Sequence, residues 1–442
     1  MTIKRALKKT LEKLRVLASA KNIRKVLNEL NLALGKDEMD YLEKETNALK
    51  EMIEKELSRS KIDADVFVGG SFAKGTLIKG DYLDIDIFVR FDPSYKNISE
   101  MLEKIVKKTA KKGLKIEKLR GSRDYFRVWK GRTMFEIIPV TKVKRPNEAR
   151  NVTDLSYFHV NYVKKKLKNE KLRNEVIYAK QFCKASRTYG AESFVRGFSG
   201  YALECLIIYY GSFEKMLKEL VKVKGRTIID PEKLYKKKED VLFAMNESKL
   251  NSPVIIVDPT WKERNVLAAL SNETFEKFKK RASEFLKKPS KEFFVIKEIN
   301  EKALRDEAKK KKAEFSKIEL KTDKQAGDIA GTKMKKFADY LEREVEKYFI
   351  ILNKKFDYNG MQKAKLYLIV KPKKEVIKIG PPVKMKKNAA AFRKANKNVF
   401  VKNGVLHSKI KIDFSAKKFV RDFAKKYADK IKAMNVTELR VY

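Results

Sequence analysis

Cysteine, histidine and tryptophan each occur only twice in the 442 residues. With His159 and His407 as the whole supply of imidazole, no Cys/His zinc site is available. Cys183 and Cys205 lie in apolar helical patterns and read as small core residues, not as a disulfide framework, which fits a reducing cytoplasm. No apolar run approaches the ~18–20 residues a membrane-spanning helix needs. The start, Met1-Thr2-Ile3-Lys4-Arg5, leads into charged amphipathic sequence without the hydrophobic stretch of a signal peptide. Internal repeats and low-complexity linkers are also missing. Acids are the scarce charge: 58 Asp and Glu face 104 Lys and Arg, a formal net charge of +46. An excess of that size attracts polyanions through counterion release, so a nucleic-acid partner is expected. A membrane surface is the weaker alternative, because no basic amphipathic segment stands apart.

Against this background one pairing stands out. Gly69-Gly70-Ser71 is followed about a dozen residues later by the strand-like run Leu83-Asp84-Ile85-Asp86-Ile87-Phe88-Val89. A small-residue turn lets backbone N–H groups approach phosphates, since glycine has no side chain in the way. Acids at i and i+2 on a strand leave the same face. Together they offer a triphosphate cradle and a hard-oxygen seat for Mg²⁺, and two-metal phosphoryl transfer asks for a third carboxylate nearby. Met134-Phe135-Glu136-Ile137-Ile138-Pro139-Val140 supplies one on a second strand-like run, with Pro139 expected at a strand end or edge. Taken singly, each piece has an ordinary reading: a turn, a solvated strand face, a rim glutamate. Taken in order, with Ile85, Ile87 and Val89 marking a buried opposite face, they point to nucleotidyl transfer.

Gly70-Ser71-Phe72-Ala73-Lys74-Gly75-Thr76, followed by Asp84-Ile85-Asp86-Ile87-Phe88, resembles the signature of the nucleotidyltransferase superfamily. Tyr189-Gly190-Ala191-Glu192, Val195-Arg196-Gly197-Phe198-Ser199-Gly200-Tyr201, Ile256-Val257-Asp258-Pro259-Thr260 through Arg264-Asn265-Val266, and Gly380-Pro381-Pro382 resemble the archaeal (class I) CCA-adding enzymes, from about residue 38 to near the C-terminus. The resemblance implies a metal-holding pair in Asp84 and Asp86, with Glu136 as third carboxylate near the attacking hydroxyl. It implies Gly70, Ser71, Lys74, Lys180 and Tyr189 around the nucleotide triphosphate, His159 against the nucleotide, and Arg264 reading the Watson–Crick edge of the incoming base. It further implies two Mg²⁺ ions, CTP and ATP as substrates, and tRNA gripped by its acceptor arm and 3′ end. Dimers are common in the resembled family, though nothing in the sequence demonstrates one. Two departures accompany this likeness: the family has Glu-x-Asp and then Asp where this chain has Asp84-x-Asp86 and then Glu136, and Lys74 stands where the family often has arginine.

The expected fold class is α+β and multi-domain. Residues 1–35 read as a basic helical extension with Leu7, Leu11, Leu14 and Leu17 on one face. Residues 36–155 form a nucleotidyltransferase palm: a helix from Asp37 to about Leu57, a strand Asp65–Val68, the glycine turn, then a mixed sheet with helices. Residues 156–300 are a mainly helical neck and body, with Phe182, Phe198 and Tyr209 assigned to packing and the hydroxyl of Tyr189 exposed. Residues 301–442 are an α+β tail that binds tRNA. Its expected elements are a solvated Lys309–Lys312 run, a helix from Met334, a strand Leu366–Val370, and a final helix presenting Phe419, Val420, Phe423, Tyr427 and Ile431. Two rivals share parts of the pattern: a poly(A)-type or other nucleotidyltransferase, and a non-catalytic tRNA-binding relative with a decayed palm.

Overall fold

The computed structural model describes residues 21–109 and 115–442. The leucine stripe expected at Leu7 to Leu17 lies outside these residues. The chain divides into two compact units, one through Lys297 and one from Glu298 to Tyr442.

The described part of the first unit opens with α1 (residues 21–28), whose Ile23 and Leu27 are buried in the same apolar cluster as Leu206 and Phe285. After it come α2 (Lys36–Arg59), β1 (Ala64–Val68), α3 (Gly70–Ala73), β2 (Leu83–Phe91), α4 (Ile98–Thr109), β3 (Lys115–Leu119), β4 (Tyr125–Lys130) and β5 (Thr133–Thr141). The five strands form one sheet in the order β1-β2-β5-β4-β3, with β2 and β5 parallel and the other pairs antiparallel. Alternation along β2 buries Ile85, Ile87 and Val89 with Leu42 and Ile53 of α2 and Leu102 of α4. Each such side chain contributes roughly 1.5–3 kcal/mol. The opposite face of β2 is left for Asp84 and Asp86. Pro139 sits inside β5, not at its end, but the ladder to β4 stops at Ile137, so the proline falls where that edge is already unpaired.

The unit continues with α5 (Ser156–Lys166), α6 (Glu170–Ala185), α7 (Gly200–Tyr210), α8 (Phe213–Lys222), β6 (Thr227–Ile229), α9 (Asp240–Ala244), α10 (Glu247–Leu250), β7 (Val254–Asp258), β8 (Trp261–Asn265) and α11 (Asn272–Lys287). Phe182 and Phe198 are fully buried among Phe213, Phe278 and Phe285. Tyr209 is not core: it is 46% exposed at the end of α7, edge-on to Tyr210. The helical reading also passed over a small sheet, β6-β7-β8. Its middle strand, Val254-Ile255-Ile256-Val257-Asp258, is buried at every position, and a continuous β-branched run is how a strand covered on both faces reads.

In the second unit, α12 (Glu301–Lys310), β9 (Glu314–Lys321), α13 (Asp328–Glu346), β10 (Phe349–Tyr358), β11 (Lys363–Pro372), β12 (Glu375–Pro382), α14 (Lys386–Ala395), β13 (Val399–Lys402), β14 (Val405–Lys411), α15 (Ala416–Lys426), α16 (Ala428–Ala433) and β15 (Glu438–Val441) make two antiparallel sheets, β10-β11-β9-β15 and β12-β14-β13. Lys309 to Lys312 are exposed. The unit does not end in the expected amphipathic helix: after α16 the chain turns at Asn435, which takes φ +65°, and β15 pairs antiparallel with β9.

Candidate active site

The glycine turn is in direct contact with the second acid of the pair, Asp86. The N–H of Gly69 donates to the carbonyl of Asp86 at 2.8 Å. Gly70 has φ +59°, and a Cβ there would stand 1.6 Å from Asp86 Oδ2. No other residue fits without displacing the carboxylate, so the turn is seated on the acid. Across the parallel ladder Asp86 is in register with Glu136, and Asp84 with Met134. Glu136 in turn accepts from Arg127 of β4 at 2.8 Å (Nε) and 2.7 Å (Nη2).

Asp84 and Asp86 are both held above the ordinary carboxylate range. Burial is the main cause, and the other acids of the cluster add to it, while Arg127 and Lys184 pull Asp84 back and Lys74 and Lys180 pull Asp86 back. Asp84 Oδ1 is buried without a hydrogen-bond partner among the described residues. Among the described residues no three acid, histidine or cysteine groups form a ready metal cage. Mg²⁺ does not need one: it takes one or two carboxylates and completes its shell with water and substrate phosphate. Two crowded aspartates, one with an orphaned oxygen, therefore fit a divalent cation.

Lys74 and Lys180, expected at the triphosphate, meet on an acid the motif reading missed. Glu204 of α7, fully buried, accepts from Lys74 Nζ at 2.6 Å, from Lys180 Nζ at 2.9 Å and from Thr76 Oγ1 at 3.0 Å. Lys180 also donates to Thr76 Oγ1 at 2.8 Å. Burial holds Lys180 below the ordinary lysine range despite this partner, with Lys74 adding a like charge. Glu204 also lies below its ordinary range, because two ammonium groups outweigh the burial that opposes them. The cluster carries two cations to one anion beside Asp86. Ser71 lies in α3, where its carbonyl accepts from the Thr76 N–H at 2.9 Å. Tyr189 is half-buried, not exposed: a Cβ on Gly200 would meet its hydroxyl at 3.0 Å and Lys180 Cε at 3.5 Å, so Gly200 is what lets tyrosine and lysine converge. Burial keeps the Tyr189 phenol protonated far above neutral pH.

His159 and Arg264 converge on a second missed acid, Asp258 at the end of β7. Oδ2 meets His159 Nε2 at 3.1 Å and Arg264 Nη1 at 2.7 Å. Oδ1 accepts from Tyr201 Oη at 3.0 Å and from the N–H and hydroxyl of Thr260 at 2.8 Å each. The His159 ring stacks on Tyr201 with centroids 3.9 Å apart. Burial holds His159 below its ordinary range even though Asp258 pulls it up. Asp258 itself is held far below the carboxylate range by its donors, His159 foremost, against the opposing effect of burial. Both missed acids had a signal: each is a lone carboxylate in an apolar run, Tyr201-Ala202-Leu203-Glu204-Cys205-Leu206 and Val254-Ile255-Ile256-Val257-Asp258, and a charge in such a run is buried only if paired.

A family described as "tRNA nucleotidyltransferase, second domain" matches residues 174–295, and a Second Messenger Oligonucleotide or Dinucleotide Synthetase domain matches residues 18–183. The CCA-adding enzyme of Nanoarchaeum equitans is 36% identical over 379 residues, covering 83% of this chain and 87% of the relative. That of Methanocaldococcus jannaschii is 31% identical over 418 residues, 90% of this chain and 89% of the relative. Among solved structures, a cytoplasmic RNA terminal U-transferase superposes with a TM-score of 0.47 at 14% identity, over 64% of this chain and 99% of that one.

Proposed function

The chain belongs to the archaeal CCA-adding enzymes, the tRNA nucleotidyltransferases, and on that footing we propose that it builds or repairs the 3′-terminal CCA of tRNA from CTP and ATP, with no nucleic-acid template. The tRNA 3′-hydroxyl attacks the nucleotide α-phosphate, the bond to the β-phosphate breaks, and pyrophosphate leaves.

The observation that carries the reading is the charge layout around Gly70: Asp86 against the turn, Asp84 two residues before it on the same strand, and two lysines sharing one buried glutamate close by. Asp84 and Asp86 are the residues that would hold two Mg²⁺, with Glu136 beside them; bound there, the ions neutralise charge developing on the phosphoryl oxygens and favour loss of the hydroxyl proton. The chain's own groups supply positioning and charge. Lys74 and Lys180 outnumber Glu204, so one positive charge is left for the triphosphate. Tyr189, a phenol at working pH, offers a hydrogen-bond donor there. Arg264 offers donors only. Cytosine N3 and adenine N1 accept a hydrogen bond, whereas uracil N3 and guanine N1 carry a proton, so a donor-only reader favours C and A. The surplus of 46 positive charges holds the acceptor arm by shape and phosphates, as RNA duplexes are generally held. A cytoplasmic site of action completes the proposal.

The test is incorporation into tRNA lacking its CCA end, with Mg²⁺ and each nucleotide given singly and together. Two additions from CTP alone, and a third once ATP is present, support the reading. Untemplated A-tails without a stop replace it with a poly(A)-type enzyme, and tight tRNA binding without incorporation replaces it with a non-catalytic relative.

A further inference from the structure

Asp258 divides its two oxygens between two jobs. Oδ1 serves the scaffold, closing the turn between β7 and β8 through Thr260 and tying down Tyr201. Among the described residues, Oδ2 serves only His159 and Arg264, two groups expected at the nucleotide. The platform beneath is rigid. Asn265, next to Arg264, accepts from the Ile256 N–H at 3.0 Å and the Leu267 N–H at 2.9 Å and donates to the Lys249 carbonyl at 2.8 Å, so β8 is fastened to β7 directly behind the arginine. The His159 ring is gripped between the Asp258 carboxylate and the Tyr201 ring. A guanidinium that chooses bases by presenting donors discriminates only if it is aimed, because a mobile fork can swing away from a mismatched proton or reach it through water.

We infer that Asp258 is a positioning residue for nucleotide choice: through Oδ2 it fixes the direction of Arg264 and the orientation of the His159 ring, and so sets how sharply cytosine and adenine are preferred over uracil and guanine. This rests on the reading of Arg264 given above. It also says what kind of variant separates aiming from scaffolding. In Asp258→Asn the amide oxygen keeps the three donors at Oδ1, since turning the amide round would face its NH₂ toward all of them. The NH₂ then replaces Oδ2. His159 can adapt by presenting a lone pair, but Arg264, which only donates, cannot.

The experiment measures kcat/KM for addition of one nucleotide to tRNA lacking CCA, with CTP and UTP supplied separately, for the wild type, Asp258→Asn, Arg264→Ala and the double variant, alongside melting temperatures. The CTP-over-UTP ratio is expected to fall about 10- to 100-fold in Asp258→Asn, the range a charge-assisted hydrogen bond covers. Arg264→Ala is expected to fall as far, and the double variant no further. A folded Asp258→Asn enzyme that keeps its ratio within twofold, or that loses rate equally with both nucleotides, overturns the inference. If Asp258→Asn does not fold, Arg264→Lys decides: it retains the charge but not the aimed fork, and a wild-type ratio there overturns the inference, whereas a ratio as low as that of Arg264→Ala supports it. A wild type that adds no C, C and A defeats the parent reading, while a selective wild type beside an equally selective Asp258→Asn defeats this inference alone.

Discussion

Asp84 and Asp86 on β2, and Glu204 on α7 with Asp258 on β7, are four sequestered acids of one folding unit that behave in opposite ways. The first two are crowded by like charge and burial and are pushed up; the second two are surrounded by donors and pushed down, although burial alone would raise all four. The difference lies in what each pair lacks. Glu204 and Asp258 have their cations inside the protein, in Lys74, Lys180 and Arg264. The nearby cations only partly offset the aspartates, leaving negative charge that a bound cation would relieve.

The contrast can be broken most drastically on the catalytic side. Asp86→Ala is expected to lower nucleotide incorporation by about three orders of magnitude or more while leaving tRNA affinity within a few-fold. Near-normal turnover in a single-turnover assay would remove Asp86 from the metal site. On the structural side, Glu204→Gln leaves two buried lysines facing a neutral amide, and losing one partner of a buried pair costs about 3–5 kcal/mol. Denaturant unfolding measures this, and a loss under about 1 kcal/mol would mean the lysines find another partner.

The dependence on pH sharpens the comparison, because the two pairs have opposite signs. An acid raised in the fold binds more protons folded than unfolded, so Asp84 makes the metal-free protein less stable as pH rises from about 4 into the neutral range. An acid lowered in the fold does the reverse: the contribution of Glu204 is present above its unfolded range and is lost as pH falls below about 4.5. Asp84→Asn should therefore raise the melting temperature of the metal-free protein at pH 7 more than at pH 4.5, and an equal shift at both values would contradict the assignment. The smallest effect is expected outside both pairs, at Tyr209→Ala, within about 0.5 kcal/mol, because a side chain nearly half exposed has little burial to lose. A cost near that of a buried aromatic would show that Tyr209 is covered by a partner.

What could be read from the chain follows the range over which each signal acts. The acid pair on β2, its partner on β5 and the glycine turn lie within 70 residues, and their spacing carries the geometry. Period-two alternation found β2, and period 3.6 found α2 and α6. The counter-charges were out of reach of such patterns: Lys74 and Glu204 are 130 positions apart, His159 and Asp258 are 99 apart, and no local periodicity ties them. The β6-β7-β8 sheet was lost because a short apolar run reads as buried helix or buried strand alike. Tyr209 was misplaced because helical spacing gives a face, not the point where that face runs out. β15 was missed because its strand character comes from the edge of β9 it joins, not from its own four residues.

The bond from Lys74 to Glu204 also sets an order of assembly. A chain emerging head first at ~5–20 residues per second offers the glycine turn on the order of ten seconds before its glutamate exists. During that interval the head can form its sheet, but Lys74 and Thr76 have no acid to meet. The Lys74–Thr76–Glu204 cluster is therefore a late product of synthesis, completed by the second half of the unit, and a chain stopped between residues 155 and 200 would carry the aspartates without it.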